Sequence, residues 1–186
     1  MPGKLQRAYY GGSRFYNFGY WTPETKSQRE ASETLVRKLL EFLPEKGGTI
    51  LDVACGMGAT TGMLLEQYAA PTVVGVNISL NQLSVAHESV ADCSFIAMDA
   101  TRLAFEDESF DDIICVEAAF HFTTRADFLK EAFRVLKPGG HLVHSDILQR
   151  SVKTSREGNF PRIAAGAGPQ PGVRGLRGSR RAGPHA

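Results

Sequence analysis

The residues best suited to chemistry stand just behind short β-rich runs. The segment ILDVACGMGATT, residues 50–61, combines a strand-like start, two glycines (Gly56 and Gly58) and a helix-forming end. Glycines at such a turn let a ligand approach the backbone closely, because no Cβ stands in the way. Taken alone, the same turn can start a helix with no ligand at all. Polar residues then follow the later runs: Asn77, Asp99 and Glu117, with His121 shortly after and Asp146 near the end of the last run. Amides and carboxylates can hold the hydroxyl and amino groups of a bound molecule, and a histidine can take a proton from a reacting hydroxyl. Plainer roles exist for each: Asp52 bonding turn amides, Asp99 starting a helix, His121 packing between Phe120 and Phe122.

These groups need elements to position them. Between positions 27 and 43, Ala31, Leu35, Leu39 and Phe42 recur on one face of a helix, which Pro44 and the Gly47-Gly48 pair terminate. Strands are expected at 49–54, 72–76, 93–98, 113–118 and 141–148, and helices at 60–68, 80–90 and 128–136. The last helix should stop at KPGG, where Pro138 cannot continue it and Gly139 suits a left-handed cap. Strands alternating with helices in this way predict an α/β fold, a parallel sheet covered on both faces.

A chain of 186 residues suits one core. No stretch has the apolar length of a membrane span, and MPGKLQRAYY lacks the pattern of a secretory signal. Cys55, Cys93 and Cys115 are too few and too irregular for a disulfide framework or a zinc site, which points to a reducing, cytoplasmic setting. All five basic residues after Pro161 lack acidic neighbours; removing them from twenty-one leaves sixteen against twenty acidic residues, so the body carries about −4. Such a body offers no basic stripe for nucleic acid. Glu106, Asp107, Glu108, Asp111 and Asp112 read as a solvated acidic turn, and no metal site is expected.

As a set, LDVACGMG, GVNIS, MDATRLAFEDESFDDI and VEAAFHF followed by FLKEAFRVLKPGG resemble the successive motifs of the class I S-adenosylmethionine-dependent methyltransferases, in their small-molecule, natural-product O-methyltransferase branch. The resemblance implies a Rossmann-like three-layer fold, S-adenosyl-L-methionine as cofactor and a small lipophilic metabolite as methyl acceptor, through oxygen first and carbon next. It implies that Asp52, Ala54, Cys55, Gly56 and Gly58 line the methionine and ribose side of the cofactor. Asn77, supplemented by Gln82 and with Ile78 beside it, would meet the ribose hydroxyls, although the family usually has an acidic residue there. Asp99 would accept from the adenine amino group and the Ala100 backbone would serve the neighbouring ring nitrogen, with Tyr20 and Glu117 completing the set. Ala54 stands where glycine is more usual. His121 matches a histidine used as a base in related O-methyltransferases, and Asp146 is a second base or the orienter of His121. His144 is expected in the core and His87 on the surface.

Seven of the seventeen aromatic residues fall within positions 9–21, YYGGSRFYNFGYW, ahead of any helical pattern. Enzymes of the resembling family place a comparable GYW segment over cofactor and acceptor, so residues 1–26 are expected to form an aromatic lid before a cofactor-binding domain at 27–150. Aromatic faces suit a sulfonium cation and exclude water; the plainer alternative is ordinary packing of these rings on the sheet. Of the 25 residues 162–186, nineteen are Gly, Ala, Pro or Arg and none is aromatic, so 151–186 is expected to be a disordered tail. The family normally has seven strands; five are recognisable, and the outer antiparallel strands are missing, as in a truncated or frame-shifted chain. Two functions therefore compete: a small-molecule methyltransferase, completed by a homodimer if at all, and a cofactor-binding chain without turnover.

Overall fold

The computed structural model describes residue 10 and residues 12–148. The expected tail and the first nine residues of the expected lid lie outside the described residues. Among the described residues, five strands and four α-helices follow one another in the order α1 (Gln28–Leu40), β1 (Ile50–Val53), α2 (Ala59–Leu64), β2 (Val73–Asn77), α3 (Leu80–Ser89), β3 (Ser94–Ala97), β4 (Phe110–Val116), α4 (Arg125–Val135) and β5 (Leu136–Ser145). The strands form one sheet in the order β3-β2-β1-β4-β5, and every neighbouring pair is parallel. This is the α/β, Rossmann-like parallel sheet that the sequence resemblance implies.

Burial on both faces explains why the central strands read as almost unbroken apolar runs. Ile50, Val73 and Ile114 face one core, which they share with Val36, Leu39 and Leu40 of α1. Leu51, Val76 and Ile113 face a second core with Phe128, Ala132 and Val135 of α4.

Side chains cap α1, α3 and α4: Ser27 accepts from the Glu30 amide, Ser79 from Gln82 and Thr124 from Asp127. Each cap fixes where its helix begins, and hence how the preceding loop leaves the sheet.

The end of α4 departs from expectation. Gly139 does not cap it: the helix stops at Val135, Leu136 already turns extended, and KPGG lies within β5. Phe110 pairs with Leu136 and Asp112 with His141, so residues 137–140 bulge opposite Asp111. Lys137 Nζ meets Asp111 Oδ2 at 2.8 Å there. Gly140 is required because a Cβ would stand 2.7 Å from the Asp111 carbonyl oxygen, and Gly139 supplies the left-handed φ of +86° that the bulge needs.

Candidate active site

The turn after β1 is built from three left-handed residues, Ala54, Gly56 and Gly58, at φ of 59°, 57° and 80°. The Cys55 amide donates to Val76 O at 3.0 Å, fastening the turn to β2, and the Gly58 amide donates to Cys55 O at 3.0 Å. A Cβ on Gly56 would meet no protein atom within 4 Å. It would enter a cavity of about 1690 Å³ that Gly56 helps to line, at the carboxyl edge of the strands.

That cavity brings most of the expected residues together. Asp52, Ala54, Cys55 and Gly56 line one wall, and Asn77, Ile78 and Gln82 lie beside them. Asp99 and Ala100 continue the wall, and Glu117 and His121 face it from the end of β4.

Asp52 is 1% exposed and accepts from the Thr61 hydroxyl at 2.7 Å. Burial pushes its carboxyl up to about 7, against the opposing bonds from Thr61. Asn77 Nδ2 donates to Gln82 Oε1 at 2.6 Å, which leaves an acceptor on Asn77 and a donor on Gln82 for two further partners. Asp99 Oδ1 receives both the amide and the hydroxyl of Thr101, at 2.8 Å each; these bonds hold its carboxyl below the usual range, and because both fall on Oδ1 they leave Oδ2 to accept from a ligand. Burial raises the Cys55 thiol, so this sulfur behaves as core and not as a thiolate.

Three expected residues are placed elsewhere. Gly58 does not line the cavity: its Cβ would meet the Ala86 Cβ at 3.0 Å, so it serves the close packing of the turn against α3. Tyr20 packs against the core on the α1 side, and its amide donates to Ala31 O at 2.8 Å. The reason lies next door, where Gly19 approaches α1 so closely that a Cβ would be 2.6 Å from Ala31. Asp146 pairs with Arg125 and accepts from the Ile147 amide at 2.8 Å; it neither lines the cavity nor orients His121.

His121 ends a short 3₁₀ turn (Ala119–His121), and its ring lies 4.0 Å from that of Phe120. His144 is half-buried, and burial lowers its affinity for a proton. His87 is exposed. Among the acidic residues of the turn, Asp107 meets Arg134, Asp111 meets Lys137, and Asp112 accepts from Tyr68 at 2.8 Å. They point to different partners, and among the described residues no cluster suited to a metal ion occurs.

Residues outside the expected set complete the site. Tyr10, Phe15, Tyr16, Asn17 and Phe18 line the cavity from the N-terminal segment. The Tyr16 hydroxyl contacts Met57 Sδ at 3.8 Å, and the Phe18 amide donates to Glu117 Oε2 at 2.6 Å. Arg134 holds the loop after Asp99 by donating to Leu103 O at 2.6 Å and to Phe105 O at 2.8 Å. A polar residue between aromatics, as in FYNFGYW, was the available signal for Asn17; nothing local marked Arg134.

Comparison with known proteins agrees with this geometry. A family model described as a methyltransferase domain matches residues 51–144. The chain belongs to that methyltransferase family. It is 34% identical over 157 residues to erythromycin 3''-O-methyltransferase of Saccharopolyspora erythraea, covering 81% of this chain and 51% of that protein. Its fold is similar to that of the [4+2]-cyclase SpnF, with a TM-score of 0.71 and 25% identity over 80% of this chain and 57% of that one. An S-adenosylmethionine-dependent methyltransferase from Mesorhizobium loti matches with a TM-score of 0.53 and 28% identity, over 58% of this chain and 51% of that chain. The chain thus spans about half the length of the curated relative it matches. The cofactor of this methyltransferase domain is S-adenosylmethionine, and the residues present fit it. An open cradle at Gly56 admits a backbone-hugging ligand, paired amides offer both hydrogen-bond senses to a ribose, and Asp52, Asp99 and Glu117 make the wall acidic toward a cation.

Proposed function

We propose that this protein transfers a methyl group from S-adenosylmethionine to a hydroxyl of a small lipophilic metabolite. The observation that carries the reading is the size and mixed lining of the cavity. At about 1690 Å³ it exceeds the ~300–1000 Å³ of a single small-molecule site, so it has room for a donor and an acceptor together. The Gly56, Asn77 and Asp99 wall suits the cofactor. Phe15, Phe18, Phe120 and Phe122, which also line the cavity, suit an apolar acceptor.

When bound, the cofactor supplies a methyl group already activated by its sulfonium. The chain has to hold that group in line with the acceptor oxygen and keep water away, which supplies most of the acceleration. Asn77 and Gln82 orient the ribose, and Asp99 accepts from the adenine amino group beside the Ala100 backbone. His121 is the base in this proposal: an imidazole nitrogen takes the hydroxyl proton as the oxygen acquires the methyl, a role worth ~10²- to 10⁴-fold. Asp146 is held by Arg125, which supports His121 as the more available base.

The second reading is cofactor binding by this domain without turnover. Assembly as a homodimer belongs to the same proposal. Three buried free cysteines among the described residues support a reducing, cytoplasmic setting; no helix there is long and apolar enough to cross a membrane.

Two measurements test the proposal: calorimetric titration with S-adenosylmethionine and S-adenosylhomocysteine, then transfer of labelled methyl to a panel of hydroxylated lipophilic compounds. Binding with transfer supports the methyltransferase. Binding without transfer supports the second reading, and no binding of either ligand overturns both.

A further inference from the structure

Asn17 is 5% exposed, lines the cavity, and has a side-chain oxygen that no donor reaches. An unpaired buried amide oxygen is costly and calls for a partner. Its position is fixed from three sides. Immediately before it, the Tyr16 hydroxyl contacts Met57 Sδ in the turn after β1. Immediately after it, the Phe18 amide donates to Glu117 at the end of β4. From behind, Gln28 Nε2 of α1 donates to the Asn17 carbonyl oxygen at 2.8 Å. Strands β1 and β4 are neighbours in the sheet, so residues 16–18 bridge their carboxyl ends and suspend Asn17 across the crevice between them. Ligands of open parallel sheets lie outside these ends.

We infer that Asn17 is a binding residue for the α-amino-acid end of the cofactor, a role that rests on the proposed S-adenosylmethionine site. In the proposed site the methionine end of the cofactor lies near the β1 turn, where Asp52, Ala54 and Gly56 line the cavity. An α-amino acid carries donors on its ammonium group and acceptors on its carboxylate. A primary amide offers one acceptor and two donors, and turning about its last bond exchanges them. Asn17 can therefore meet either group, and the oxygen left unpaired by the protein gains a partner when the ligand enters.

The test separates this role from a structural one by using two ligands and an isosteric change. Asn17→Leu keeps the branching and heavy-atom count of the side chain and removes its polarity. Because the amide oxygen has no partner within the protein, Asn17→Leu should keep or raise the melting temperature. It should weaken binding of S-adenosylhomocysteine about 10- to 100-fold. Binding of 5'-methylthioadenosine, which keeps the adenosine and lacks the amino acid, should stay within about twofold of the parent. Asn17→Ala should show the same split between ligands, so a packing fault specific to leucine cannot mimic it. Equal losses for both ligands, or no loss for either, would overturn the role of Asn17 and leave the cofactor site standing. Failure of the parent to bind either ligand would overturn the cofactor reading itself, and this inference with it.

Discussion

The backbone amide of Phe18 donates to Oε2 of Glu117 at 2.6 Å, joining residues 99 positions apart. Glu117 reaches that position in a left-handed conformation, φ 47°, while its own amide donates to Ser145 O at 3.0 Å. The carboxylate therefore links the aromatic segment to the sheet at the cavity wall. Burial raises its pKa, and the Phe18 amide works against that rise.

Replacing this acceptor should loosen the segment. Bonds to charged groups contribute about 1.5–3 kcal/mol, so in Glu117→Ala trypsin should cut after Arg14 at least several-fold faster than in the parent. Glu117→Gln keeps an oxygen at the same place and should be cut at close to the parent rate. Equal rates in all three proteins would show that other contacts hold the segment.

Ala54 predicts a stabilising change. A non-glycine residue in the left-handed region costs about 1–2 kcal/mol, and Ala54 sits there at φ 59°. Ala54→Gly should regain about 1 kcal/mol, less the added freedom of the unfolded chain, and raise the melting temperature by a few degrees. A fall in melting temperature would refute this account of the turn.

Asp52 should make both stability and binding depend on pH. Its folded pKa of about 7 lies above the ordinary value of 3.8. The folded state then holds the proton more tightly, and the stability contributed by the protonated carboxyl is complete below about pH 4 and lost as pH rises to 7. Asp52→Asn should flatten that slope in melting temperature between pH 4 and 8. A cationic cofactor should favour the ionised form, so affinity of the parent should rise with pH through 7 and binding should release a proton. Titrations in buffers of different ionisation enthalpy measure that proton directly.

Asp99→Ala and His121→Ala should fail in different ways. The first loses an adenine partner and should weaken cofactor binding by about 1–3 kcal/mol. The second should leave binding near the parent value and lower turnover ~10²- to 10⁴-fold. Equal effects on binding would contradict this division.

Much of this architecture is written in local pattern. The runs that became β1, β2 and β4 are apolar because both sheet faces are covered, and the glycine turn after β1 announces itself by composition. What could not be read is what depends on distant approach. KPGG looks like a helix stop, yet the four residues bulge within β5 because Lys137 reaches Asp111 and Gly140 makes room for its carbonyl. Tyr20 and Tyr16 look alike in FYNFGYW; only the contact of Gly19 with α1 turns Tyr20 toward the core and leaves Tyr16 and Asn17 facing the cavity. Asp146 stood well placed along the chain for His121, but Arg125, 21 residues away, takes it.

The Asn77–Gln82 pair has a consequence for how the site would recycle. In the proposed site these amides carry no charge, so their grip on a ribose should be indifferent to ionic strength and to pH. Charge discrimination is left to the acidic wall of Asp52 and Glu117. Fresh cofactor is a sulfonium and the spent form a neutral sulfide. A pocket that grips both by the same uncharged sugar contacts, and adds an attraction for the cation, should hold the ligand less tightly once the methyl has gone. In the proposed site, exchange of spent for fresh cofactor would then follow from the loss of one positive charge, with no rearrangement needed at the ribose.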